Sequence, residues 1–150
     1  ALCSPTTQPI ALNPAAAAEN RARLRGFADG FAARTAALQG YARRIADAHG
    51  CKPALFGAGH LTTTFVNIHG LGELFSFVAD DMPQKQGRYL AGTPLRIQPT
   101  KDLILLKIPV CLLGVAPESE ERIIENNKAY YDFGGKFYSI LPGSKRYVLN

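Results

Sequence analysis

The chain has no tryptophan, one methionine and three histidines in 150 residues. Its three cysteines, Cys3, Cys51 and Cys111, lie far apart and form no CxxC pair. That spacing argues against a disulfide framework and against a structural zinc site. It leaves a reducing, cytoplasmic setting as the expectation. No run of 18 apolar residues occurs, which excludes a transmembrane helix of the usual length. No block of five or six like charges occurs either, so the formal charge of +5 is not a nucleic-acid footprint. GxSxG, HExxH and a cysteine in a basic helix start are all missing, and with them the simplest nucleophilic and zinc-hydrolase chemistries. The chain opens on Ala1, without a basic stretch leading into an apolar one, so no signal peptide is read. A processed or excised domain is the expectation from that start.

What remains is an ordinary globular composition, 47% hydrophobic and 19% charged. Residues 1–12 carry prolines, threonines and a serine without periodicity and read as a flexible N-terminal arm. Residues 13–150 read as one domain, with a covering helix over 13–50 and an α/β core over 52–150. Asn13-Pro14 supplies an N-cap and a first-turn proline, and Gly50 a C-terminal cap. Leu24, Phe27, Phe31, Leu38, Tyr41 and Ile45 recur at helical spacing. Gly30 and Gly40 mark places where that helix could break. Its Arg21, Arg25, Arg43 and Arg44 give it a basic face, solvated or turned to a partner such as a second copy of the chain.

Beyond Pro53 the pattern shortens. Strands are predicted over 54–56, 73–79, 95–97, 103–115 (with a break at Pro109) and 136–141. Helices are predicted over 61–69 and 119–132. This alternation predicts a small Rossmann-like three-layer α/β domain with a mostly parallel sheet.

Gly57-Ala58-Gly59-His60 follows a strand and opens a helix. Glycine there permits a tight turn and close approach to a ligand, and the helix amides favour an anion. The dinucleotide fingerprint wants a third glycine where this chain has Thr62. An acidic residue about 20 positions on would take a ribose hydroxyl, and Asp80 and Asp81 fit that offset. The glycines either serve a ligand or make the turn alone. His60 is either a ligand contact or an exposed helix-start residue. The segment 80–93 leaves the end of a predicted strand carrying carboxylate, ammonium, guanidinium and glycine, the makings of either a binding loop or a solvated one.

Three motifs carry a resemblance. Gly57, Ala58, Thr64 and Asn67 fit a glycine turn of the type GA-x-x-KGNT. Asp80, Pro83, Lys85, Gln86, Gly87, Arg88, Gly92 and Thr93 fit D-R-N-P-x-K-Q-G-R-x-x-P-G-T. Gly134, Gly135, Lys136 and Phe137 fit G-G-K-F after a helix. Together, over 54–141, the chain resembles the C-terminal domain of sugar C-methyltransferases, and the middle motif is the specific one. The family pattern is departed from at Leu61, Thr63, Asp81, Met82, Val115 and Ala116, so a ligand other than the family's usual one is open.

The resemblance implies a domain that binds a nucleotide sugar or other phosphorylated small molecule. It would be part or partner, in cis or in trans, of a methyltransferase that uses S-adenosylmethionine (SAM). Such an enzyme's zinc module and methyl-donor domain do not fit in this chain, so no cofactor and no catalytic residue are expected here. The implied ligand residues are Gly57, Ala58, Gly59, His60, Thr64, Asn67, Asp80, Lys85, Gly87, Arg88 and Thr93. Two other readings stay open: a small NAD(P)-binding Rossmann enzyme, resting on the glycine turn and Asp80, and a non-catalytic interaction module, resting on the basic helix. Neither nucleic acid nor membrane is an expected partner.

Overall fold

A computed structural model describes residues 13–150. The predicted arm over 1–12 lies outside the described residues. By contacts the chain divides into two units, Ala1–Arg34 and Thr35–Asn150.

Helix α1 (Pro14–His49) crosses that division. Asn13 caps it as predicted, its side-chain oxygen accepting the Ala15 and Ala16 amides at 3.0 and 3.4 Å. Gly50 follows its last residue at φ +69°, the left-handed conformation that ends helices. The helix runs through Gly30 and Gly40 without the expected break. In the first unit Phe27 and Phe31 pack ring to ring at 6.1 Å, and the Arg34 guanidinium lies over the Phe27 ring. In the second unit Leu38 and Ala42 are buried, with Tyr41 and Ile45 against the same core.

The rest of the second unit is a parallel sheet. Its strands are β1 (Ala54–Phe56), β2 (Val78–Ala79), β3 (Ile97–Gln98), β4 (Val110–Leu113) and β5 (Lys136–Ser139). They lie in the order β3-β2-β1-β4-β5, and every ladder is parallel. Helix α2 (His60–Ile68) links β1 to β2. Helix α3 (Asp102–Leu105) precedes β4, and α4 (Pro117–Asn126) and α5 (Lys128–Asp132) join β4 to β5. Side-chain alternation along the strands builds two cores. Leu55, Val78, Val110 and Leu112 face one way, onto Leu38 and Val66. Ala54, Phe56, Ala79, Cys111 and Leu113 face the other, onto Leu103 and Tyr130. The domain is therefore the predicted three-layer, Rossmann-like α/β fold with a long N-terminal helix.

Several element boundaries differ from the sequence reading. Only the last two residues of the predicted 73–79 strand enter the sheet. Gly72–Leu74 forms a 3-10 turn instead, and the Ser76 amide and hydroxyl donate to Pro53 and Lys52 at 2.9 and 2.8 Å. The 95–97 strand is displaced to Ile97–Gln98. The apolar run 103–115 splits into α3 and β4, because Lys107 takes a positive φ of 51° and Pro109 follows. The single helix 119–132 is two helices that meet at Asn127. Among the described residues no helix is long and apolar enough to cross a membrane.

Candidate functional site

The sheet order reverses at β1: β2 lies on one side of it and β4 on the other. Chains leaving the carboxyl ends of β1 and β4 diverge there, and a crevice opens between them. A cleft of about 560 Å³ occupies this place. Its lining includes Phe56 at the end of β1, Gly57 and Gly59 after it, Asp80, Asp81, Met82 and Lys85 after β2, and Gly114 and Val115 after β4. Arg122, Ile123 and Asn126 of α4 complete it.

The glycine turn is built as the sequence suggests. Gly57 holds φ +91°, and a β-carbon there would lie 2.9 Å from the Val115 side chain. Its amide donates to the Ala79 carbonyl at 2.8 Å, fixing β1 to β2. The Gly59 amide donates to the Gly57 carbonyl at 2.9 Å, and α2 begins at the next residue. Thr62, standing where the fingerprint has glycine, is fully buried. Its hydroxyl donates to the Gly57 carbonyl at 2.5 Å and lies 3.4 Å from the Gly114 carbonyl. The close approach of helix to sheet is achieved from the other side: Gly114 has no side chain, and a β-carbon there would collide with Thr62.

Asp80 is the electrostatic centre of the cleft. It is 6% exposed. One carboxylate oxygen accepts the Ala58 amide at 2.8 Å and the Lys85 ammonium at 3.0 Å. The other accepts the Met82 amide at 2.9 Å. Burial alone would raise its pKa; the Met82 amide, the Lys85 ammonium and the Ala58 amide together outweigh burial and hold it below the ordinary value. The neighbouring Asp81 carboxylate accepts the Thr100 hydroxyl.

The predicted site residues separate into two groups. Gly57, Gly59, Asp80 and Lys85 line the cleft, and Ala58 contributes its amide to Asp80. His60, Thr64, Asn67, Gly87, Arg88 and Thr93 are not in its lining. His60 and Thr64 are exposed on α2. The Asn67 amide donates to the Thr63 and Ala91 carbonyls at 2.9 Å each, clamping α2 to the loop between β2 and β3. Gly87 turns at φ +80°. The Gly87 amide donates to the Ile97 carbonyl and the Ile97 amide to the Arg88 carbonyl, both at 2.8 Å, so this stretch folds back on β3. Thr93 holds the next turn, accepting the Leu95 amide at 3.2 Å. Sequence reasoning missed Gly114, Val115, Arg122, Ile123 and Asn126. The topological rule pointing to the ends of β1 and β4 is the signal that finds them. Among the described residues no three His, Cys, Asp or Glu side chains gather as a metal site.

The geometry defines a Rossmann-like domain with a crevice at its switch point. The family model described as "C-methyltransferase C-terminal domain" matches residues 8–142, and the chain belongs to that family. Among solved structures it is similar to RSP, a Rex-family repressor, at 15% identity and a TM-score of 0.46, covering 60% of this chain. It is also similar to UDP-D-quinovosamine 4-dehydrogenase from Vibrio fischeri, at 22% identity and a TM-score of 0.45, covering 59% of this chain. The match spans 44% of the repressor and 75% of the dehydrogenase. No curated protein is significantly similar to the chain.

Proposed function

We propose that this domain is the substrate-binding part of a methyltransferase and holds a nucleotide sugar or a related phosphorylated ligand in the switch-point cleft. The observation that carries the reading is the convergence there of the Gly57 turn, Gly59 at the N-cap of α2, and Lys85. The first amides of a helix carry partial positive charge and no internal partner, which suits phosphate oxygens. Gly59, beside which a β-carbon would meet nothing within 4 Å, lets a ligand approach the backbone closely.

Methyl transfer is assigned to another domain, in cis or in trans. SAM would supply the methyl group there. In dinucleotide-binding domains an acidic side chain at the end of β2 ordinarily accepts a ribose diol. Asp80 stands at that place, and its oxygens already accept Ala58, Met82 and Lys85. The role of this chain is to bind and orient, without proton transfer or a nucleophile.

A thermal-shift panel on the 150-residue chain tests the reading. It contains nucleotide sugars, nucleoside diphosphates, SAM and nicotinamide dinucleotides. A ligand at 100 times its Kd adds about 2.7 kcal/mol, a shift easily measured. Stabilisation by nucleotide sugars or nucleoside diphosphates is expected. Stabilisation by nicotinamide dinucleotides alone would replace this reading with the dinucleotide enzyme, and no response to any phosphorylated ligand would overturn it.

A further inference from the structure

We infer that Arg122, on α4, is the principal anion-contacting side chain of the cleft. This rests on the reading of the cleft as a phosphate site. The charged side chains of its lining are Asp80, Asp81, Lys85 and Arg122. Lys85 is engaged: its ammonium lies 3.0 Å from the buried Asp80 carboxylate, which offsets its charge. Arg88, the other cation of the middle motif, is outside the lining, and its backbone pairs with Ile97. Arg122 is exposed and makes no ion pair or side-chain hydrogen bond among the described residues. Its neighbour Glu121 is turned to Arg146 at 3.1 Å instead. Without Arg122 the lining would carry a net negative charge and repel an anion. With it, the cleft has one uncommitted guanidinium, a planar fork that takes phosphate oxygens two at a time.

Arg122 comes from the helix after β4 and Gly59 from the turn after β1, and both line the cleft. Asn126, one helical turn beyond Arg122 in the same lining, adds an amide for a hydroxyl or phosphate oxygen.

Isothermal titration with uridine and thymidine diphosphates, and with the matching monophosphates, decides the matter. Arg122→Gln is expected to weaken diphosphate binding about 10- to 100-fold, the usual size for a lost hydrogen bond to a charged group. Arg122→Lys, which keeps the charge but not the fork, should fall between wild type and Arg122→Gln. Arg88→Gln should stay within about twofold of wild type. Equal melting temperatures would show that the exposed substitutions leave the fold intact. If wild type binds diphosphates and Arg122→Gln binds them equally well, the assignment to Arg122 is overturned while the cleft reading stands. If wild type binds no phosphate compound, both fall.

Discussion

The Asp80 carboxylate at the end of β2 accepts the amide of Ala58 in the turn after β1, at 2.8 Å. The acidic residue that a Rossmann fingerprint would spend on a ribose is here turned inward, where it fixes the glycine turn and, through Lys85 and Met82, the start of the following loop. Its held-down pKa gives that role a pH dependence. A carboxylate whose pKa is lower folded than unfolded stabilises the protein above its unfolded value, about 3.9. The contribution disappears as pH falls through the folded value. Asp80→Asn should cost about 1–3 kcal/mol at pH 7. The gap in melting temperature between wild type and Asp80→Asn should narrow steadily as the pH is lowered from about 5 through the folded value. A gap that stays constant over that range would refute the role.

Gly114 and Thr62 should behave as a coupled pair. A methyl group at 114 would meet the Thr62 side chain and lie 3.3 Å from the Phe56 carbonyl. Gly114→Ala should destabilise by about 1–3 kcal/mol through overpacking. Thr62→Ala removes the hydroxyl, the nearest part of the obstacle, together with its hydrogen bond to Gly57, and leaves the β-carbon 3.0 Å from the added methyl. In a double-mutant cycle read by urea unfolding, the double variant should be more stable than the sum of the single effects predicts. Strict additivity would mean that the two residues do not meet.

This pair shows how far the sequence could be read. The strand, glycine turn and helix at 54–69 were legible because glycine at 57 answers a backbone demand, φ +91°, that other residues resist. The absence of a third glycine looked like a defect in the motif. The sheet supplies the missing space through Gly114, some fifty residues away, which no local pattern could reveal. Hydrophobic runs at 73–79 and 103–115 suggested long strands because periodicity records burial, and buried 3-10 or helical turns look alike in such runs. The middle motif at 80–93 divides in the structure. Asp80 and Lys85 face the cleft, whereas Gly87, Arg88 and Thr93 shape the return to β3. Arg122 escaped notice because a lone cation on an amphipathic helix has the pattern of a solvated face.

The two described cysteines should differ sharply in reactivity. Cys111 sits in β4 with no exposure, and burial pushes its thiol well above the ordinary value. Cys51 is half-buried, ahead of β1. Only the thiolate reacts with an alkylating agent. Iodoacetamide on the native protein at pH 8, followed by peptide mass spectrometry, should modify Cys51 and spare Cys111 until denaturant is added. Equal labelling of both under native conditions would contradict the placement of Cys111 in the core.

The measurement closest to the central claim is amide chemical-shift mapping of the labelled chain during titration with a nucleoside diphosphate. The account predicts that the largest changes fall on Gly57, Gly59, Met82, Val115 and Asn126, which line the cleft between the ends of β1 and β4. Arg88 and Thr93, in the loop that folds back on β3, should move little. Changes concentrated on Gly87, Arg88 and Thr93, with the cleft amides unmoved, would place the ligand on the motif loop and contradict the account.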